Sequence, residues 1–364
     1  MSSCRCRNPI HCILPPHVLD RLAKSPNKKI RQAAAAQKRG AATFRALRTV
    51  ANAFPTFLLA PIPAPAARPT PNRLVYSQGN RVPAWSNLPG TLRRKEGQAK
   101  VADPAVNEAY DHAGSTWSFY YKVFTRDSID GMGLPLVSSV HAGMDFDNAF
   151  WEGSQMVYGD GDGIVFRRFT RSLDVVGHEL THGVVQHTSG LVYEAQAGAL
   201  NEHFADTFGV LVRMFKGKVK ADTAKDQAWL IGAELLVPAP TRKALRSMKD
   251  PGSAYSNDPD LGTDPQPQHM NGYINLPVTE AGDWGGVHIN SGIPNKAFYL
   301  AASAVGGFAW ERVGRVWYEV MRNLQPYSRF ADAANQCRVV SRGMFGTTSS
   351  EAKAIHEAWS KVGL

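Results

Sequence analysis

Between Leu173 and Thr188 the apolar residues Leu173, Val175, Val176, Leu180, Val184 and Val185 recur at helical spacing. The next stretch, ALNEHFADTFGVLVRMF, spaces Leu200, Phe204 and Phe208 four apart and predicts a second largely buried helix. Helical patterns continue through INSGIPNKAFYLAASAV, a segment from Trp310 to Met321, FADAANQCRVVSRGMF and SEAKAIHEAWSKV. From Arg73 to about Phe169 the pattern is different. Short strand-like runs (RLVYSQGN, LPGTLRRKEG, LVSSVHAG, SQMVYGDGDG) surround one helical run, ADPAVNEAYDHAGSTWSFYYKVF. The expectation is an α+β fold in two lobes: mixed α/β over 73–172, then mainly α-helical over 173–364, with a cleft between them. No internal repeat is present.

Residues 1 to about 50 read as basic helical material with few large apolar side chains for a core of their own. The run PTFLLAPIPAPAARPTPN over 55–72 predicts an extended, protease-accessible connector, so residues 1–72 stand apart from the body.

Charge reinforces that division. The chain of 364 residues carries a formal +10, which suggests a nucleic-acid or acidic-membrane footprint. However, residues 1–72 hold twelve Lys and Arg against Asp20 alone, and the rest holds 29 bases against 30 acids. The body is near neutral, so neither nucleic acid nor membrane is expected as a partner. Cys4, Cys6 and Cys12 sit in the extension and Cys337 alone in the body, so no disulfide framework supports the main fold. No apolar run approaches the ~20 residues of a membrane span. The start lacks the apolar core of a Sec signal, and Phe54 to Ala60 is signal-like only for a later translational start.

The first predicted helix of the second lobe contains His178-Glu179-Leu180-Thr181-His182. Two histidines four apart project from one helical face and can reach one ion, with Glu179 beside it. A bare match of this kind also arises on ordinary amphipathic helices. Here the helix is otherwise apolar, so both imidazoles need buried partners, and a metal supplies one. Catalytic zinc takes three protein ligands and keeps a fourth position open. Glu202 on the next helix can complete the set. Asp206, one turn on, is placed to orient a zinc histidine, the alternative being an ordinary solvated acid.

These residues resemble the thermolysin family. VVGHELTHGVVQHTSGLVYEAQAGALNEHFADTFG looks like the family's zinc region, and DNAFWEGSQMVYGDGDG resembles its substrate-binding edge. ALRSMKDP and GDWGGVHINSGIPNKAFYL resemble two further blocks, so the likeness runs from about Arg73 to Leu364. CILPPHVLDRLA resembles the short propeptide of protealysin-like members. The resemblance implies a neutral zinc metalloendopeptidase made as a precursor, with zinc on His178, His182 and Glu202 and Glu179 as general base. It implies oxyanion stabilisation by Tyr193 and His288, with Asp283 paired to that histidine. It also implies backbone binding by Asn148 and Ala149, and Arg246 on a substrate carbonyl. Phe166, Phe169, Val175, Ile231 and Leu245 would line an apolar pocket after the scissile bond. Asp174 matches a calcium ligand, but Arg213, Ala228, Leu230 and Ala233 stand where the rest of that double calcium site would be. Its loss is expected.

The implied partners are protein or peptide substrates and the chain's own propeptide, acting on a monomer. Residues 1–72 would cap the cleft until the connector is cut, and thiolates of Cys4, Cys6 or Cys12 are a second possible metal donor in that latent form. A nucleic-acid-binding protein using the basic arm, with a structural zinc, is the rival class, but structural zinc takes four protein ligands and only three candidates occur. The family implies secretion, and the missing Sec signal leaves a cytoplasmic alternative.

Overall fold

A computed structural model describes residues 11–35, 37–38, 69–82 and 87–364. Cys4, Cys6 and most of the proline-rich connector fall outside those residues.

The first lobe is built on one sheet. Its strands are β1 (His11–Cys12), β2 (Arg73–Ser77), β3 (Thr91–Lys95), β4 (Leu136–Val140), β5 (Ala149–Trp151) and β6 (Met156–Tyr158), in spatial order β1-β5-β6-β4-β2-β3. The pairs β2–β4 and β4–β6 are parallel, whereas β3, β5 and β1 join antiparallel. The long helix α3 (Pro104–Phe124) connects β3 to β4. Asp103 caps it by accepting from the Ala105 and Val106 N–H groups, Pro104 supplies a first position that needs no donor, and Thr125 ends it in a left-handed conformation (φ 55°). Its buried face of Ala105, Ala109, Ala113, Thr116, Tyr120 and Val123 is apolar but for Thr116 and Tyr120; the helix packs on β2 and β4, and the Tyr120 hydroxyl lies 2.8 Å from that of Thr181 in the second lobe.

The second lobe begins with α4 (Leu173–Gln186) and α5 (Ala195–Gly217), which cross closely. Glycine is required at the crossing: a Cβ at Gly209 would meet the Asp174 carbonyl at 2.4 Å. That approach brings one face of α5 up to the histidines of α4. Around them lie α6 (Asp283–Asn290), α7 (Gly292–Val305), α8 (Val313–Asn323), α9 (Phe330–Phe345) and α10 (Ser350–Lys361), with Trp317 of α8 stacked on Trp359 of α10. A two-stranded ribbon, β7 (Leu230–Ile231) with β8 (Arg246–Ser247), also belongs to this region. The helical periodicities gave no sign of it.

The N-terminal segment contributes β1, α1 (Pro16–Leu22) and α2 (28–35). The sequence suggested too few apolar side chains for an independent core. Ile13, Leu14, Val18, Leu22 and Ile30 instead join the same continuous cluster as the body. Each such burial contributes roughly 1.5–3 kcal/mol, against about 0–1 kcal/mol for a solvent-exposed pair such as Lys29 with Asp145. Apolar contact therefore dominates its docking.

Candidate metal centre

His178 and His182 project from α4 into the crossing with α5 and are fully buried. Nδ1 of His178 lies 2.9 Å from Asp206 Oδ1, and Nδ1 of His182 lies 2.8 Å from Asn201 Oδ1. The Asn201 side-chain NH2 donates to the Leu191 carbonyl at 3.1 Å, so its oxygen is the atom turned to His182. Both Nδ1 atoms are thereby donors. Each Nε2 then presents a lone pair, and the two Nε2 atoms are 3.0 Å apart. Burial pushes both imidazoles down, to about 4 and about 3, against the carboxylates that favour their charge.

Glu202 from α5 completes the convergence, with carboxylate oxygens 3.6 Å from His178 Nε2 and 3.4 Å from His182 Nε2. One oxygen accepts from the Tyr193 hydroxyl, while Oε2 is buried with no hydrogen-bond partner. Two converging lone pairs and an unsatisfied carboxylate oxygen call for a cation, and this nitrogen and oxygen donor set suits zinc. Among the described residues these three form the one group able to hold a metal; Cys12 does not join it.

The surrounding residues are equally ordered. Asp206 accepts from Arg246 Nε at 2.9 Å and Nη2 at 2.8 Å, and from the Asn295 side chain at 2.9 Å. Burial opposes its charge, but Arg246 and His178 outweigh burial and hold the carboxyl well below the usual range. Glu179 is fully buried; its Oε2 accepts from the Trp151 N–H at 3.0 Å, and its Oε1 has no partner. Burial, then the neighbouring Glu202, pushes its pKa up. His288 is anchored by Asp283, which accepts from its Nδ1 at 2.6 Å and from its backbone N–H at 2.9 Å. Its Nε2 lies 3.1 Å from the Tyr193 hydroxyl. Burial works against its charge, but Glu202 and Asp283 prevail and raise its pKa to about 9.

Of the other residues singled out in the sequence, Ala149 lies on β5 with its carbonyl accepting from the Ile13 N–H at 3.3 Å. The Asn148 side chain accepts from the Ala149 N–H at 2.9 Å. Phe166, Phe169, Val175, Ile231 and Leu245 are all buried in the cluster that contains Ile13. Asn201 and Asn295 carried no expectation; their sequence signal is a polar residue next to buried apolar ones, Leu200 and Ile293 among them. At the expected calcium position, Arg213 Nη1 donates to Asp174, and Nη2 donates to the carbonyls of Ala228 at 2.9 Å and Leu230 at 2.6 Å.

A buried pair of histidines and a glutamate, beside a second glutamate and between a sheet lobe and a helical lobe, defines a zinc-dependent hydrolase. Residues 73–186 match the family model described as thermolysin metallopeptidase, catalytic domain, and residues 189–364 the one described as thermolysin metallopeptidase, alpha-helical domain. The chain belongs to the thermolysin metallopeptidase family. It is 46% identical over 304 residues to the "Extracellular metalloprotease" of Pectobacterium carotovorum subsp. carotovorum, covering 82% of this chain and 85% of that one. It is 45% identical over 297 residues to "Protease PrtS" of a Photorhabdus species, covering 81% and 77%. The solved precursor of protealysin, a metalloproteinase from Serratia proteamaculans, superposes with a TM-score of 0.84 at 42% identity, over 97% of this chain and 99% of that one. The protein is a zinc endopeptidase with a propeptide. Among the described residues no helix is long and apolar enough to cross a membrane.

Proposed function

We propose that His178, His182 and Glu202 hold one zinc ion, that Glu179 is the general base and then the general acid, and that Tyr193 and His288 stabilise the oxyanion. The observation that carries this reading is the convergence of two imidazole lone pairs 3.0 Å apart upon the unpartnered Glu202 Oε2. Zinc, when bound, supplies a Lewis acid that polarises the scissile carbonyl and makes a water acidic near neutral pH. The Trp151 N–H holds Glu179 Oε2, which leaves Oε1 to take the water's proton and pass it to the leaving amine. As charge grows on the carbonyl oxygen, His288 Nε2, already fixed through Asp283, donates to it, and the Tyr193 hydroxyl turns to it from Glu202. Asp283 orients His288, and Asp206 orients His178.

Substrate backbone adds to β5 at Asn148 and Ala149, with Arg246 on a substrate carbonyl. The apolar lining of Phe166, Phe169, Val175, Ile231 and Leu245 favours a hydrophobic side chain after the cleaved bond. Residues 1–72 are the removable propeptide, lying across the cleft through β1. Arg213 takes the place of the double calcium site, so no calcium is expected there. Secretion follows the relative named as extracellular.

The test is casein hydrolysis by the mature wild type and by Glu179→Ala, each with its zinc content measured. Loss of about 10²–10⁴-fold in turnover with one zinc per chain retained is expected. Equal activity contradicts the assignment.

A further inference from the structure

The segment preceding α1 lies across the metal centre in a defined register. His11 and Cys12 pair antiparallel with Trp151 and Phe150 of β5. The Ile13 N–H donates to the Ala149 carbonyl at 3.3 Å and also faces the Glu179 carboxylate. The Ile13 carbonyl accepts from Arg246 Nη1 at 3.1 Å. One residue earlier, the Cys12 carbonyl accepts from His288 Nε2 at 2.9 Å, and that nitrogen is the one beside the Tyr193 hydroxyl.

The two ends of a single peptide bond therefore meet opposite parts of the machinery. Its oxygen is on the oxyanion donor, within the roughly 2.7–3.1 Å that such a donor requires. Its nitrogen, with the N–H bonded to the Ala149 carbonyl, faces the group assigned to protonate the leaving amine. The next bond lacks this arrangement, because its carbonyl is on Arg246, which is already committed to Asp206. A plug that only filled the cleft could run in either direction or present side chains alone. This one enters by strand addition, the mode in which backbone hydrogen bonds fix register. Ile13 is fully buried in the same apolar cluster as the pocket residues, the placement of a side chain that follows a cleaved bond.

We infer that the Cys12–Ile13 peptide bond is a self-processing site, cut by the metal centre of its own molecule. This rests on the roles proposed above for Glu179 and His288. The step needs only water: its oxygen bonds to the Cys12 carbonyl carbon, the bond to the Ile13 nitrogen breaks, and the proton taken up by Glu179 passes to that nitrogen. The products are a carboxylate at Cys12 and an amine at Ile13. Residues 1–12 are then held within the described part by two strand residues. Residues from Ile13 onward keep Leu14, Val18, Leu22 and Ile30 in the core, His17 at 3.2 Å from the Tyr255 hydroxyl, and Lys29 on the Asp162 carbonyl at 2.8 Å. The cut uncovers the β5 edge while Leu14, Val18, Leu22 and Ile30 stay docked.

The experiment uses the full-length precursor purified with a chelator. Zinc is added across a serial dilution, and intact mass and N-terminal sequencing are followed. A chain beginning at Ile13 is expected, with a first-order rate independent of protein concentration, and none is expected from Glu179→Ala even when wild type is mixed in. Wild type that digests casein but never yields an Ile13 terminus overturns the inference while leaving the proposed function intact. Cleavage of Glu179→Ala by added wild type overturns the intramolecular cut. Wild type inactive on casein removes both readings. Hydrogen exchange on the zinc-free wild-type precursor tests the register without catalysis: the Ile13 amide is expected to be protected like the amides of α1 that close on Pro15, and exchange at the free-peptide rate overturns it.

Discussion

Arg213 and Asp174 form an ion pair at a position where the family pattern places a calcium ligand, and the guanidinium reaches on to the carbonyls of Ala228 and Leu230. A single fixed cation thus gathers one carboxylate and two carbonyl oxygens. Asp174 is 1% exposed and the Arg213 side chain 22%, so removing the arginine strands a buried carboxylate. Arg213→Ala is expected to lose roughly 2–3 kcal/mol, below the usual range for a fully buried pair because Arg213 is partly wet. Thermal melts of wild type with calcium and with a calcium chelator should coincide; a calcium-dependent rise of several degrees would contradict the replacement.

Asp206 holds two functional groups at once, His178 Nδ1 and the Arg246 fork. Asp206→Asn keeps the shape but removes the charge that fixes both. Zinc affinity should fall by about 10–100-fold, measured by competition with a fluorescent chelator. An unchanged affinity would show that His178 is oriented by packing alone.

His141 bridges two carboxylates, with Nδ1 2.7 Å from Asp160 and Nε2 2.8 Å from Asp103, the residue that caps α3. The Asp160 hydrogen bond raises its pKa most, burial works the other way, and Asp103 adds to the rise, taking it from 6.5 to about 9. The imidazolium is stabilised in the folded state. Its contribution is therefore full below pH 6.5 and is lost as pH climbs through about 9. The melting temperature of wild type should exceed that of His141→Gln at pH 6, and the gap should close by pH 10. A gap that does not vary with pH would mean that the bridge acts only through its shape.

Much of this molecule could be read in the chain itself, because its strongest signals are periodic. Four strands of the sheet (β2, β3, β4 and β6), α3, and the helices α4 and α5 follow from apolar spacing, whereas the α4–α5 crossing at Gly209 shows only in the structure. The convergence of His178, His182 and Glu202 was legible because HExxH fixes two ligands on one helical face and the next apolar helix carries an acid at its centre. Besides β5 and the β7–β8 ribbon, three features were not legible. Strand β1 is two residues long, too short for any alternation, and forms only because β5 offers an open edge. The pairing of Arg213 with Asp174 joins residues on different helices; sequence placed Arg213 near Asp174 without indicating that its guanidinium bonds that carboxylate and two carbonyls. Asn201 acts on His182 through an amide orientation set by the Leu191 carbonyl, a contact that no motif encodes.

The central claim is that two imidazoles and one carboxylate grip a single ion whose remaining side is open. An anomalous difference map collected at the zinc edge tests it most directly. One peak is predicted, about 2.0–2.1 Å from His178 Nε2 and His182 Nε2 and about 2.0–2.2 Å from a Glu202 oxygen, with no fourth protein side chain in reach. No peak there, or a fourth side chain completing the coordination, would contradict the account.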